Sequence, residues 1–142
     1  MNYLLDTNVV SELRKAGDGK ADRNVTAWIG GQNPDRLFIS AITMLELERG
    51  ILSLQRRDAV QASRLRAWMD DRVRPEFEGR ILVIDDAVAT RCAQLHVPDR
   101  RNESDALIAA TALLHGMTVV TRNSADFEET GVILINPWQA LS

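Results

Sequence analysis

The sequence predicts an α/β sandwich built on a mostly parallel sheet. Three observations predict it. Short apolar runs of strand type alternate with stretches of helical periodicity along most of the 142 residues. The first run, Tyr3-Leu4-Leu5, begins almost at residue 1 and ends abruptly on Asp6. Behind it, Thr7, Asn8, Val9, Val10 and Leu13 open a helix, which is how parallel α/β sheets commonly begin.

The elements follow in order. Gly17 to Asp22 is a polar break after the first helix and the expected mobile turn. Asn24 is placed to cap a short helix through Val25, Trp28 and Ile29, ending at Gly30-Gly31. Leu37-Phe38-Ile39 is a second strand, after which Thr43 opens a helix carrying Leu45, Leu47, Ile51, Leu52 and Leu54. A basic amphipathic helix starts near Asp58, with Leu65, Trp68, Met69 and Val73 at helical spacing, and Pro75 should end or bend it. Ile81 to Ile84 is a third strand, and Asp85-Asp86 caps the helix that follows. Ser104 to His115 is an Ala- and Leu-rich helix stopped by Gly116. Thr118 to Thr121 and Val132 to Ile135 complete five strands, and Pro137-Trp138 leads into a short tail.

The length fits one domain with a real core. Cys92 is the only cysteine, so no intrachain disulfide forms, and its apolar surroundings make it a buried, inert thiol. Asp6 interrupts the N-terminal apolar run too early for a signal peptide. Ala106 to Leu114 is about half of a membrane span. The protein is therefore expected in the cytoplasm, with no membrane partner. A net charge of −3 argues against gripping nucleic acid by bulk charge, though not against local basic patches. Arginine carries nearly all the positive charge, since Lys15 and Lys20 are the only lysines.

Four acids share one structural address: Asp6 after the first strand, Glu46 and Asp105 in the opening turns of helices, and Asp126 shortly after the fourth strand. In a parallel sheet, strand carboxyl ends and helix N-termini lie on the same edge, where ligands bind. Each position also has a purely structural reading. Asp6 or Thr7 can cap a helix. Thr43-x-x-Glu46 fits a capping box, Asn102-x-x-Asp105 is a weaker version, and Asp126 can cap a turn. Together the acids meet a difficulty. Two unpaired carboxylates about 4 Å apart repel by roughly 4 kcal/mol at an effective dielectric near 20. No lysine or histidine stands beside them in sequence, and a hard divalent ion with oxygen ligands, Mg²⁺ or Mn²⁺, resolves the conflict. Metal-assisted hydrolysis of a phosphodiester is the matching chemistry. Asn8, Ser11 and Thr121 are neutral groups on the same rim, suited to position water or phosphate, and Arg122 can neutralise phosphate.

LLDTNVVSEL, ISAITMLELERGI, ESDALIAATALLHGMTVVTRNSADFE and the closing GVILINPW resemble the PIN-domain family, specifically its VapC-type, FitB-like toxins. The likeness runs nearly end to end. It implies a single PIN domain over residues 1–142, a three-layer α/β/α sandwich with strand order 3-2-1-4-5. It implies a Mg²⁺- or Mn²⁺-dependent endoribonuclease, the toxin of a type II toxin–antitoxin system. By motif, Asp6, Glu46, Asp105 and Asp126 take the four acidic positions, with Asp6 and Asp105 as metal ligands. The resemblance also implies a cognate VapB-type antitoxin, an RNA substrate, a homodimer, a toxin–antitoxin hetero-oligomer, and operator DNA reached only through that complex. Where family members often carry Pro or Gly before the third acid, this chain has Arg101-Asn102-Glu103-Ser104. Glu48 and Glu103 are expected on the surface.

Arg14, Arg49, Arg101 and Arg122 are candidate RNA phosphate contacts, and Trp28 and Trp68 suit core or partner binding rather than base stacking. The second and fourth helices carry enough apolar surface to form a groove for a partner helix. Competing readings fare worse. A haloacid dehalogenase-type enzyme needs an Asp where Asn8 stands, and both it and a response-regulator receiver need a late lysine. G-x-G-x-x-G is missing after the first strand, and His96 and His115 lack zinc-like spacing. The alternative from another class is a non-catalytic PIN-like partner-binding scaffold.

Overall fold

Five strands form one parallel sheet in the order β3-β2-β1-β4-β5. The structure is a computed structural model and describes residues 1–139; the tail expected after Trp138 lies outside the described residues from 140 onward. The strands are β1 (Tyr3–Leu5), β2 (Leu37–Ser40), β3 (Ile81–Leu82), β4 (Thr118–Val120) and β5 (Leu134–Ile135). Seven α-helical segments surround them: α1 (Thr7–Arg14), α2 (Arg23–Gly30), α3 (Ala41–Gln55), α4 (Ala59–Trp68), the single turn α5 (Arg74–Glu76), α6 (Asp86–Leu95) and α7 (Glu103–His115).

Strand side chains alternate between two cores, as the period of two requires. Leu5 and Val120 face Val9, Val10, Trp28, Ile51, Met69, Val73 and Phe77, from α1 to α4 and beyond. Leu4 and Val119 face Ile108, Ala109 and Ala112 of α7, with Phe127. Small α7 residues also let α6 dock, through Val88 and Cys92 against Ala106 and Ala110. This is the expected three-layer α/β/α sandwich.

Several boundaries move, each for a local reason. The β3 ladder stops at Leu82, which pairs Ser40, because β2 ends there and turns into α3. Val83 and Ile84, expected in the strand, are left exposed on this edge. Leu134–Ile135 alone pair β4, two residues fewer than the apolar run suggested. Asp22, not Asn24, caps α2 by accepting from the Asn24 and Val25 amides. Asn24 instead donates its side-chain amide to the Trp138 carbonyl at 2.7 Å. Ser40 caps α3, accepting from the Ile42 amide at 3.1 Å, so Thr43 lies inside the helix and Glu46 in its second turn. The Thr43-x-x-Glu46 capping box is therefore not formed.

Pro75 neither ends nor simply bends its helix. The chain widens into a π-helical turn over Met69–Val73 and resumes as α5. A proline removes one amide and crowds the carbonyl four residues back, and the wider turn accommodates both effects. That turn presents Met69 and Val73 to the core. Glu48, expected on the surface, is half-buried and joins α3 to this segment. Arg66 grips it with two bonds of 2.6 and 2.8 Å, and Arg74 adds one of 2.5 Å. Hydrogen bonds from Arg66 and Arg74 hold its carboxyl down at about 2. Gly116 closes α7 with φ of 65°, a left-handed conformation that suits glycine.

Candidate functional site

The site begins with Asp6, at the carboxyl end of the central strand. Its backbone amide extends the β1–β4 ladder to the Val120 carbonyl at 2.9 Å, which fixes the residue where β1 becomes α1. Its two oxygens divide the work. Oδ1 caps α1 by accepting from the Thr7 amide at 2.7 Å, and Oδ2 accepts from the Thr121 hydroxyl at 2.7 Å. Capping and rim placement are thus compatible functions of one side chain. Asp6 is 93% covered. Burial raises its pKa most, the Thr121 and Thr7 bonds oppose that, and Glu46 and Asp126 raise it further.

Glu46 reaches the same rim from α3, accepting from the Thr7 hydroxyl at 2.8 Å. Asp105 stands in the first turn of α7, whose start is set by Asn102 accepting from the Asp105 amide at 3.1 Å. Burial, followed by the fields of Asp6, Asp126 and Glu46, pushes Asp105 up to about 6. Asp126 is exposed in the 3₁₀ segment Ser124–Thr130, with no side-chain bond capping that segment. The acids therefore act on one another across a common space, although they come from four segments of the chain. No three of the four bring carboxylate oxygens within 4.8 Å of one another among the described residues. Nor does any of them pair with an arginine, lysine or histidine among the described residues. The carboxylates so paired are Glu12, Glu48, Asp70, Glu76, Glu103 and Glu129.

The neutral rim residues fall into place unevenly. Thr121 is fully buried and accepts from the Asn123 amide at 3.0 Å while donating to Asp6. Asn8 lies 3.4 Å from both Asp6 and Thr121 and accepts from the Arg122 amide at 3.3 Å. Ser11 is one turn further along α1, half-buried, with no side-chain hydrogen bond among the described residues. The Arg122 guanidinium lies 5.3 Å over the Trp138 ring. Thr7 and Thr43 also belong to the site, where the sequence offers them only as caps; the T-x-x-E spacing is the signal that could have found them.

Arg101 is not free for phosphate. It donates to the Leu95 carbonyl at 2.8 Å and lies 3.7 Å from the Glu129 carboxylate. Trp28 is core, stacked edge-on against Tyr3 with ring centres 5.0 Å apart. Trp68 lines a groove of about 470 Å³ with Leu13, Val73 and Phe77, between α1 and α4 rather than α2 and α4. Away from the rim, Cys92, His96 and Glu103 bring their ligand-type atoms within 4.8 Å of one another. His96 Nδ1 accepts from the Arg101 amide at 3.0 Å. The neutral ring then carries its proton on Nε2, which points that nitrogen at Cys92 and Glu103 as a donor, not as a metal ligand. The cluster ties the α6–α7 loop.

A parallel three-layer sandwich with unpaired carboxylates gathered at its strand ends is suited to metal-assisted phosphodiester cleavage. The family model described as PIN domain matches residues 3–133, and the chain belongs to the PIN-domain family. It is 38% identical over 143 residues to VapC ribonuclease Y4jK of Sinorhizobium fredii, spanning 96% of this chain and 97% of that one. It is 34% identical over 140 residues to Toxin FitB of Neisseria gonorrhoeae, spanning 95% and 97%. Among solved structures, FitAB bound to IR36 DNA superposes with a TM-score of 0.87 at 33% identity, covering 99% of this chain and 98% of that one. PIN nucleases generally use a divalent metal, and an all-oxygen rim whose four acids pair with no cationic side chain among the described residues fits one. Among the described residues, no helix is long and apolar enough to cross a membrane.

Proposed function

We propose that this chain, as one PIN domain over residues 1–142, is the toxin of a type II toxin–antitoxin system, a metal-dependent endoribonuclease working in the cytoplasm. The observation that carries the reading is the set of four carboxylates at the sheet edge without a cationic partner, where burial and the neighbouring acids raise the proton affinity of Asp6 and Asp105. Asp6 and Asp105 would hold the ion, Mg²⁺ or Mn²⁺, with Glu46 and Asp126 completing the site directly or through water. When bound, the ion neutralises the carboxylates and makes an attacking water more acidic.

The remaining steps belong to the protein's own side chains. Thr121 and the Thr7 amide hold Asp6 in one rotamer, so its carboxylate is placed before RNA arrives. Glu46, oriented by Thr7, is positioned to accept a proton from the attacking water. Asn8 and Ser11 orient water or phosphate, and Arg122 contacts an RNA phosphate from its seat on Trp138. A VapB-type antitoxin lays an apolar helix in the α1–α4 groove and inserts a basic side chain among the acids, supplying the charge they lack. The relative crystallised as FitAB was bound to DNA; by likeness, this chain reaches operator DNA through its antitoxin, as a homodimer within the hetero-oligomer. The four intact acids weigh against the non-catalytic scaffold.

Two measurements test the reading together. The purified chain is expected to cleave RNA with Mg²⁺ or Mn²⁺ and to stop on addition of EDTA. Co-expressed with the small protein encoded beside it, it is expected to co-purify with a partner that silences it. Full cleavage in EDTA rejects the metal mechanism. A metal-replete chain that binds its partner tightly yet cleaves no RNA establishes the scaffold instead.

A further inference from the structure

We propose that Thr43 is a positioning residue for the RNA-cleaving site, acting on Glu46 through Thr7; the proposal rests on the nuclease reading. Thr43 is fully buried in the first turn of α3, and Ser40 rather than Thr43 caps that helix. Among the described residues the Thr43 hydroxyl has one partner, the Thr7 hydroxyl 3.0 Å away.

The direction of the chain follows from donor counting. Thr7 has one hydroxyl proton, and an ionised carboxylate can only accept. That proton therefore goes to Glu46, 2.8 Å away, which leaves the Thr7 oxygen to accept from Thr43. The result is a relay from the core to the rim, Thr43 to Thr7 to Glu46. Thr43 and Glu46 lie three residues apart on one face of α3, and Thr7 is the first residue of α1, beside Asp6. The relay thus couples the helix that presents Glu46 to the turn that presents Asp6. Partners one shell out from metal-binding groups commonly affect metal affinity or activity by about 10–100-fold; Thr43 stands one hydrogen bond beyond Thr7, so the low end of that range is expected of it.

The test uses the full chain with Thr43→Val, Thr43→Ser and Thr7→Val, alone and combined with Glu46→Gln. Mn²⁺ affinity by electron paramagnetic resonance and RNA cleavage are read separately. Thr43→Val is expected to weaken Mn²⁺ binding and lower kcat, each about 10-fold. Thr43→Ser keeps the hydroxyl and is expected to retain wild-type values. In the Glu46→Gln background, Thr43→Val should not weaken Mn²⁺ binding further, because its route of action is already removed. Thr7→Val, at a half-exposed position, carries the same prediction should Thr43→Val not fold. The proposal is overturned by a folded Thr43→Val, or Thr7→Val in its stead, with wild-type binding and cleavage. A Thr43→Ser as impaired as the valine variant, or an equal loss in the Glu46→Gln background, also overturns it. A wild-type chain that cleaves no RNA instead overturns the nuclease reading and the relay with it.

Discussion

Replacing Asp6 with Asn is expected to reduce RNA cleavage about 10³-fold, a barrier increase of about 4 kcal/mol. The substitution isolates charge from shape. Asparagine is as good an N-cap as aspartate, so α1 keeps its start. One amide oxygen still accepts from either the Thr7 amide or the Thr121 hydroxyl, the two donors now served by Oδ1 and Oδ2. What is lost is the negative charge at the carboxyl end of the central strand, where the other acids converge. Initial rates on a single-stranded RNA, measured at saturating Mn²⁺ on a variant with wild-type circular dichroism, check it. Near-wild-type rates would place the metal elsewhere.

Asp105→Asn is expected to abolish cleavage as well, yet to stabilise the metal-free protein at neutral pH. In the folded chain Asp105 keeps its proton up to about pH 6, against an ordinary value of 3.8. Between those values the folded state binds more protons than the unfolded state. Stability therefore falls as pH rises through that window, and the full penalty is present above it. The whole displacement corresponds to about 3 kcal/mol. Asp105 is only half-buried, and solvent screening reduces this to about 1 kcal/mol. Removing the charge should raise Tm by about 2–4 °C at pH 7. The gain should vanish near pH 4, where the wild-type carboxyl is protonated, and should shrink at pH 7 when Mn²⁺ binds the wild type. Equal melting temperatures at pH 7 in EDTA would show that neither burial nor the neighbouring acids penalise the Asp105 charge. A gain of the predicted size marks the site as a place where function costs stability.

Much of this was legible in the sequence, and what was not has identifiable causes. Strand–helix alternation located all five strands, most clearly β1 and β4, where Leu4, Leu5 and Thr118–Val120 are buried on both faces. Ends were less legible. Val83 and Ile84 look like strand, but the ladder depends on whether β2 is still beside them, which is a tertiary fact. Capping failed in the same way at Thr43. Ser40 and Thr43 are both good caps, and the turn out of β2 decides between them. The acids were found because their positions relative to strand ends survive any shift of one or two residues. Arg101 was misjudged as a phosphate contact because its partner is a backbone carbonyl, which no residue type announces. The Thr43–Thr7–Glu46 chain escaped notice because Thr7 and Thr43 are 36 residues apart and each already had a local explanation.

The central claim is that these carboxylates are assembled to hold a divalent cation. Direct titration of Mn²⁺ into the RNA-free, antitoxin-free protein by electron paramagnetic resonance tests it without relying on activity. The account predicts saturable binding by the wild type, loss of that binding in the Asp6→Asn/Asp105→Asn double variant, and unchanged binding in a control such as Glu129→Gln. Mn²⁺ bound equally well by the double variant, or not bound by the wild type at all, would contradict it.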